Sequence, residues 1–115
     1  MIIRDIQKVT HEIAKEKGWY NGKCLEFGEV IALCHSELSE ALECFRQGKK
    51  YKEIINEDTS VFGVSKPTGI PIELADCVLR ILDFCEYVGI DMEKAIELKT
   101  KYNKSRSYKH GGKVI

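Results

Sequence analysis

The chain has 115 residues, of which 43% are hydrophobic and 31% charged, and its 18 basic residues balance its 18 acidic residues. This composition excludes a disordered chain, and the zero net charge gives no general attraction to nucleic acid polymers or membrane surfaces. No apolar run approaches the roughly 20 residues of a membrane-spanning helix. We therefore expect a single domain over residues 1–115, with no membrane partner and no nucleic acid partner.

The five cysteines point to a reducing compartment. They are odd in number and form no C-x-x-C pair: Cys24, Cys34, Cys44, Cys77 and Cys85. Most fall where a helix would bury them, so we interpret them as small core residues rather than as metal ligands. The N-terminus lacks the layout of a signal peptide, and we expect a cytoplasmic protein.

Two amphipathic helices are predicted in the first half of the chain. The first spans about residues 3–17, and Gly18 ends it. The second spans about residues 25–47, and Gly48 ends it. The first helix would bury Ile6, Val9, Ile13 and Ala14, and the second would bury Phe27, Val30, Cys34, Leu38, Ala41 and Phe45.

The segment from Gly48 to Ile70 is polar and contains Pro-Thr-Gly near its end. No convincing strand alternation is present, so it is predicted as a long loop with room for one short helical turn. Loops of this length within a compact domain are usually functional or mobile.

Two more helices complete the prediction. Pro71 suits the first turn of a third helix that extends to about Val88, and Gly89 ends it. Asp91 is predicted to cap a fourth helix over about residues 92–102. The third helix is apolar around most of its circumference, which predicts that protein surrounds it. The fold class is therefore all-α, a four-helix bundle.

Two predicted helices each carry a pair of acidic residues one turn apart. Glu37 and Glu40 lie on the second helix, and Glu73 and Asp76 lie on the third. Packed side by side, these helices would bring four carboxylates together, an arrangement that suits Mg²⁺ or Mn²⁺. The alternative is that both pairs are solvated, with Glu73 serving the helix dipole and with Asp76 and Asp83 paired to Arg80.

Three stretches resemble a known family. "HSELSEALE", "KPTGIPIELADCVLRILD" and "GIDMEKAIELKTKYNKSRSYKHGGK" are similar to MazG-like nucleotide pyrophosphohydrolases of the all-α NTP pyrophosphatase superfamily. The resemblance implies the MazG-type fold and a Mg²⁺-dependent hydrolase that converts a nucleoside triphosphate to a monophosphate and pyrophosphate. It also implies a homodimer or homotetramer, and the strongly apolar third helix agrees with at least a dimer.

By this resemblance, Glu37, Glu40, Glu73 and Asp76 are the metal ligands. Because all four offer carboxylate oxygens, Mn²⁺ is expected to substitute for Mg²⁺. Either Glu37 or Glu40 would activate the attacking water as general base. Many family members have a further glutamate at the position of Ser36, so the number of metal ions stays open.

Other side chains are candidates for binding substrate. The candidate phosphate contacts are Lys101, near the end of the predicted fourth helix, and three residues of the basic tail, which spans about residues 103–115. The three tail residues are Asn103, Arg106 and Lys109. The alternative for each is a solvated basic terminus. Trp19 would stack on the nucleobase or, alternatively, cap the helical core. His11 would reach the same pocket or lie on the helix surface.

Two other functions remain open at this point. One is a non-catalytic helical interaction module with structural cation sites. The other is an enzyme similar to phosphoribosyl-ATP pyrophosphohydrolase, which the tail and the HSELSE segment fit less well.

Overall fold

A computed structural model describes residues 2–22, 26–58 and 63–108. These ranges contain α1 (Ile3–Glu16), α2 (Phe27–Arg46), β1 (Ile55–Asp58), β2 (Ser65–Thr68), α3 (Ile70–Val88) and α4 (Met92–Ser105). The prediction of a mainly helical chain with four helices is confirmed. None of the described helices combines the length and the apolar character needed to cross a membrane.

The local signals at α3 and α4 act as predicted. Pro71 lies in the first turn of α3. Gly89 ends that helix in the left-handed conformation at φ +83°, which glycine adopts without a steric penalty. The Asp91 side chain accepts a hydrogen bond from the Lys94 amide at 3.1 Å and so caps α4. The last helix continues to Ser105, beyond the predicted end at Tyr102.

The predicted loop between α2 and α3 contains a β-hairpin, and the prediction of a loop with a helical turn is wrong. Strands β1 and β2 pair in antiparallel fashion, with Ile55 opposite Thr68 and Glu57 opposite Lys66. Nearly every residue of both strands is exposed, so the sequence carries no alternation of apolar and polar residues. The hairpin leads directly into α3 through Gly69.

The apolar core lies between α2 and α3. It consists of Val30, Cys34 and Cys77, with Phe84 packed against them. Cys85 is also buried, Cys44 is half-buried, and all four described cysteines are free thiols. Burial raises the pKa of the Cys34 and Cys85 thiols, which keeps them protonated and unreactive. The prediction of core cysteines holds for these residues, and Cys24 lies outside the described residues.

The first helix buries polar residues, contrary to prediction. Gln7 is 0% exposed and His11 is buried, whereas Val9 and Ile13 are exposed. Gln7 Nε2 donates to the Ile90 carbonyl at 2.7 Å and to Glu86 Oε1 at 3.0 Å. Ile6 and Ala14 are half-buried, so the predicted stripe is wrong for Val9 and Ile13. The surface of α3 that faces α1 carries acidic side chains, which need hydrogen-bonding partners, and polar residues of α1 supply them.

Apolar side chains remain exposed along α2 and α3, so the prediction that protein surrounds the third helix is wrong for the single chain. The predicted stripe of α2 is only partly buried: Leu38 is 48% exposed while Glu37 is buried. The exposed apolar set, here called the open apolar face, comprises Phe27, Ile31, Leu38, Leu42 and Phe45 of α2 and Leu74, Val78, Ile81 and Val88 of α3. Helical spacing places this face about a third of a turn around each helix from the acidic residues.

Candidate metal centre

The four predicted metal ligands meet where α2 packs against α3. Ligand oxygens of Glu37, Glu73 and Asp76 all lie within 4.8 Å of one another. Glu40, one turn further along α2, contacts Glu37 and Glu73 closely enough to change the pKa of both. Residues that are separated by more than 30 positions in the sequence therefore form one acidic cluster.

Glu37 is the most unusual member of this cluster because it is only 7% exposed. Its Oε1 accepts a hydrogen bond from Arg80 Nε at 3.0 Å. Its Oε2 is buried and has no hydrogen-bond partner among the described residues. A buried carboxylate oxygen without a partner carries a large desolvation penalty, which a cation at this point would remove.

The pKa values reflect crowding of negative charge. Burial, with the neighbouring Glu40 and Glu37, raises the pKa of Glu73 to about 7. Burial and the charge of Glu37 also raise the pKa of Asp76, which Arg80 and Lys66 partly oppose. Burial would raise the pKa of Glu37 as well, but the hydrogen bond from Arg80 and the close approach of Glu40 and Glu73 hold it below its usual value. The cluster therefore carries more negative charge than its own cations balance.

The polar residues of α3 do not form the ion pairs that the sequence alternative predicted, in which Asp76 and Asp83 would pair with Arg80. Arg80 binds Glu37 rather than Asp76 or Asp83. Asp83 Oδ2 accepts a hydrogen bond from the Tyr20 hydroxyl at 2.8 Å, and Asp83 Oδ1 lies 2.8 Å from His11 Nδ1. The surface interpretation of His11 is wrong, because its ring is buried with its centroid 4.9 Å from that of Tyr20.

Two cavities meet at the acidic cluster. The first, here called the acid cavity, measures about 350 Å³ and lies between the cluster and the hairpin. Its polar lining residues are Glu37, Glu40, Glu43, Gln47, Lys66, Glu73 and Asp76. The second, here called the aromatic cavity, measures about 300 Å³ and is lined by Thr10, Trp19, Tyr20, Arg80 and Asp83, among others. Glu37 and Asp76 line both cavities, so the two spaces adjoin at these carboxylates.

Trp19 forms part of the wall of the aromatic cavity and is 66% exposed. Because so much of its indole ring is exposed, Trp19 does not cap the helical core, and the alternative of a capping role is wrong. Its neighbour Tyr20 is fixed to α3 through Asp83, which holds the turn after α1 beside the cavity. The predicted stacking role of Trp19 stays a prediction.

Three of the four predicted phosphate contacts, those that the structure describes, lie away from the two cavities. Lys101, Asn103 and Arg106 are exposed at the C-terminal end of α4, and the described lining of the two cavities includes none of them. The guanidinium carbon of Arg106 lies 5.6 Å from the centre of the Tyr102 ring. Contacts of α4 with α1 involve its first turn, where Glu93 accepts from the Arg4 amide at 3.2 Å. Lys109 lies outside the described residues.

Two cations beside the cluster were not predicted as site residues. Arg80 follows Asp76 by four positions, and this i, i+4 spacing on a helix was an available signal. Lys66 reaches the acid cavity only because the hairpin forms. Nothing in the polar segment from Gly48 to Ile70 distinguished Lys66 from its other lysines.

Comparisons with known proteins do not identify a family. No family profile matches the chain, and neither a curated protein nor a solved structure is significantly similar to it. The resemblance to MazG-like enzymes therefore depends on the motifs alone, and function must be argued from the geometry of the site.

Proposed function

We propose that this chain is a Mg²⁺-dependent nucleoside triphosphate pyrophosphohydrolase of the MazG type. The observation that carries the proposal is Glu37, a buried carboxylate whose Oε2 has no described partner and which lies against Glu73 and Asp76. A donor set made only of carboxylate oxygens fits a hard divalent cation rather than zinc. Glu37, Glu40, Glu73 and Asp76 would hold the ion, and Mn²⁺ would substitute for it.

The two adjoining cavities fit the two parts of a nucleotide. The aromatic cavity offers Trp19 as a stacking surface for a base, and the acid cavity lies beside the cation site. Together they exceed the lower limit of about 300 Å³ for small-molecule sites. The α phosphate of a bound triphosphate would then lie near Glu37 and Asp76, where the cavities join.

Hydrolysis needs a positioned water and neutralisation of phosphate charge, with no covalent nucleophile. Bound Mg²⁺ would supply positive charge for the phosphate oxygens and would make a neighbouring water more acidic. The water oxygen bonds to the α phosphorus, the bond from that phosphorus to the bridging oxygen breaks, and pyrophosphate leaves. Glu40 fits the general base better than Glu37, because Glu40 is exposed whereas Glu37 is bound to Arg80.

The deciding experiment is a panel of ribonucleoside and deoxyribonucleoside triphosphates, with and without Mg²⁺, assayed for pyrophosphate and monophosphate. We expect equal amounts of both products, only when the cation is present. Release of inorganic phosphate instead of pyrophosphate would contradict the proposed bond cleavage. Thermal stabilisation by Mg²⁺ without turnover of any substrate would favour the non-catalytic interaction module.

We propose in addition that the chain forms at least a homodimer through the open apolar face. Nine large apolar side chains are exposed along one flank of α2 and α3, more than an isolated monomer usually leaves in one patch. The radius of gyration of 17.3 Å also exceeds the roughly 13 Å of a compact chain this long. Light scattering should give at least twice the 13.1 kDa chain mass.

The homodimer also offers a role for the tail. We propose that Lys101, Asn103 and Arg106 contact phosphate in the partner's site, because they are exposed and line neither described cavity of their own chain. Mixing inactive Asp76→Asn chains with Lys101→Ala/Arg106→Ala chains should restore activity in the mixed dimers. No recovery after subunit exchange would contradict this arrangement.

A further inference from the structure

The hairpin contributes a cation to the acid cavity. Lys66 lies in β2 and lines this cavity together with Glu37, Glu40, Glu73 and Asp76. Its charge partly opposes the raised pKa of Asp76, which shows that it is close enough to affect that carboxylate. Lys66 therefore faces the acidic cluster from the hairpin.

The position of Lys66 is fixed by the pairing of the strands and by the junction with α3. Within β2, the side chains of Lys66 and Thr68 point to the same face of the hairpin, because side chains alternate along a strand. Thr68 Oγ1 donates to the Ile55 carbonyl at 3.0 Å, and Thr68 is half-buried. Gly69 then turns directly into α3, where its carbonyl accepts from the Glu73 amide at 3.1 Å. The backbone that carries Lys66 is thus joined to the helix that carries two of the acids.

Among the described residues, the ammonium group of Lys66 has no ion-pair partner. No ion pair within 4.0 Å joins it to any described residue, and this includes Glu57, its neighbour across the strands. By contrast, Arg80 already binds Glu37 from the side of the aromatic cavity. Of these two cations, Lys66 is the one available to an incoming anion.

The arrangement of the cavities determines which anion this is. Trp19 and Tyr20 lie in the aromatic cavity, and Lys66 lies in the acid cavity beyond the shared Glu37 and Asp76. A nucleotide with its base beside Trp19 would therefore present its terminal phosphates to Lys66. A lysine ammonium is a compact point charge with three donors, well suited to phosphate oxygens.

We propose that Lys66 binds the β and γ phosphates of the substrate and retains the pyrophosphate product, so that the hairpin sets the orientation of the triphosphate. This inference depends on the proposed hydrolase function. It adds a contact from the same chain to the pyrophosphate end, whereas Lys101, Asn103 and Arg106 of that chain are not among the described lining residues of either cavity.

The test is calorimetric titration of the full chain with inorganic pyrophosphate and, separately, with a nucleoside monophosphate, both at saturating Mg²⁺. Lys66→Gln should weaken pyrophosphate binding about tenfold and leave monophosphate binding unchanged. Lys66→Arg should retain most of the affinity for pyrophosphate. Lys52→Gln is the matched control, because Lys52 is an exposed lysine of the same segment and is not among the described lining residues of the acid cavity.

Three results would overturn the inference. They are unchanged pyrophosphate affinity in Lys66→Gln, an equal loss for the monophosphate, and absence of pyrophosphate binding by the unaltered chain. If Lys66 only neutralised the acids, Lys66→Gln would tighten Mg²⁺ binding and would not affect pyrophosphate at saturating Mg²⁺. Failure of the hydrolase proposal is read separately, from the absence of pyrophosphate release by the unaltered chain.

Discussion

His11 Nδ1 lies 2.8 Å from Asp83 Oδ1, across the contact between α1 and α3. Both side chains are largely removed from solvent, with 11% and 23% of their surfaces exposed. A hydrogen bond in such a place is costly to break from one side only, because the remaining partner stays desolvated.

This contact predicts the stability of single and double variants. His11→Ala and Asp83→Ala should each lower the free energy of unfolding by about 1–3 kcal/mol. The double variant should lose less than the sum, since each single change already removes the shared bond. Denaturant titrations measure all three, with Lys8→Ala on the exposed side of α1 as control. Strict additivity would show that the two side chains do not interact.

The raised pKa of Glu73 predicts a pH dependence of stability in the absence of divalent cations. The folded pKa is about 7 and the ordinary value is 4.5, so the folded chain binds more protons than the unfolded chain between them. The contribution of Glu73 to stability is therefore full below the ordinary value and is lost as the pH rises to about 7.

Melting curves in a chelator should accordingly show a lower melting temperature at about pH 7.5 than at about pH 5.5, and Glu73→Gln should reduce this difference. Glu97→Gln on exposed α4 should leave the difference as it is. Affinity for Mg²⁺ should change in the opposite direction and increase through pH 7, because a ligand must lose its proton. A pH profile unaffected by Glu73→Gln would assign the effect to other groups.

The variant Asp76→Asn removes one negative charge from the acidic cluster and should leave the fold intact. The burial and neighbouring charges that raise the pKa of Asp76 show that its ionised form is unfavourable in the metal-free chain. The variant should therefore melt at a higher temperature than the unaltered chain without Mg²⁺, lose stabilisation by Mg²⁺, and lose turnover at least about hundredfold. Asp5→Asn, on the exposed side of α1, is the control. Near-normal turnover in Asp76→Asn would contradict the ligand assignment.

The backbone conformation of Gly69 and its close contact with Glu53 predict that one added methyl group destabilises the chain. At φ +129° a side chain is strained, and a Cβ there would collide with the carbonyl oxygen of Glu53. Gly69→Ala should lower the free energy of unfolding by about 1–3 kcal/mol. Gly28→Ala is the control, since a Cβ in α2 meets no atom within 4 Å and should cost nothing. Equal stability of the two variants would show that the hairpin junction adjusts without cost.

The sequence predicted the helices well because their signals are local. Asp91, Pro71 and Gly89 act on the backbone within one or two turns, so their effect does not depend on the rest of the fold. The acidic pairs were also within reach, since a three-residue spacing on a helix defines a common face. Their convergence still required that α2 and α3 pack on one another, which the apolar stripes of both helices supported.

The errors arose where long-range partners decide the structure. Gln7 and His11 are buried because their side chains form hydrogen bonds with Glu86 and Asp83 of α3. The hydrophobic periodicity of α1 gives no information about these partners. The hairpin was missed because its strands bury almost nothing. Lys66 was missed for the same reason, because its place in the site follows from the hairpin.

The buried Gln7 has a consequence for the order in which the fold opens. The described contacts that join α1 to α3 are rich in hydrogen bonds through Gln7 and His11, whereas α2 and α3 share apolar packing. Amide hydrogens of α1 should therefore exchange with deuterium before those of α2 and α3, in a sub-global opening. Since Trp19 and Tyr20 follow α1, such an event would dismantle the wall of the aromatic cavity while the acidic cluster remains assembled.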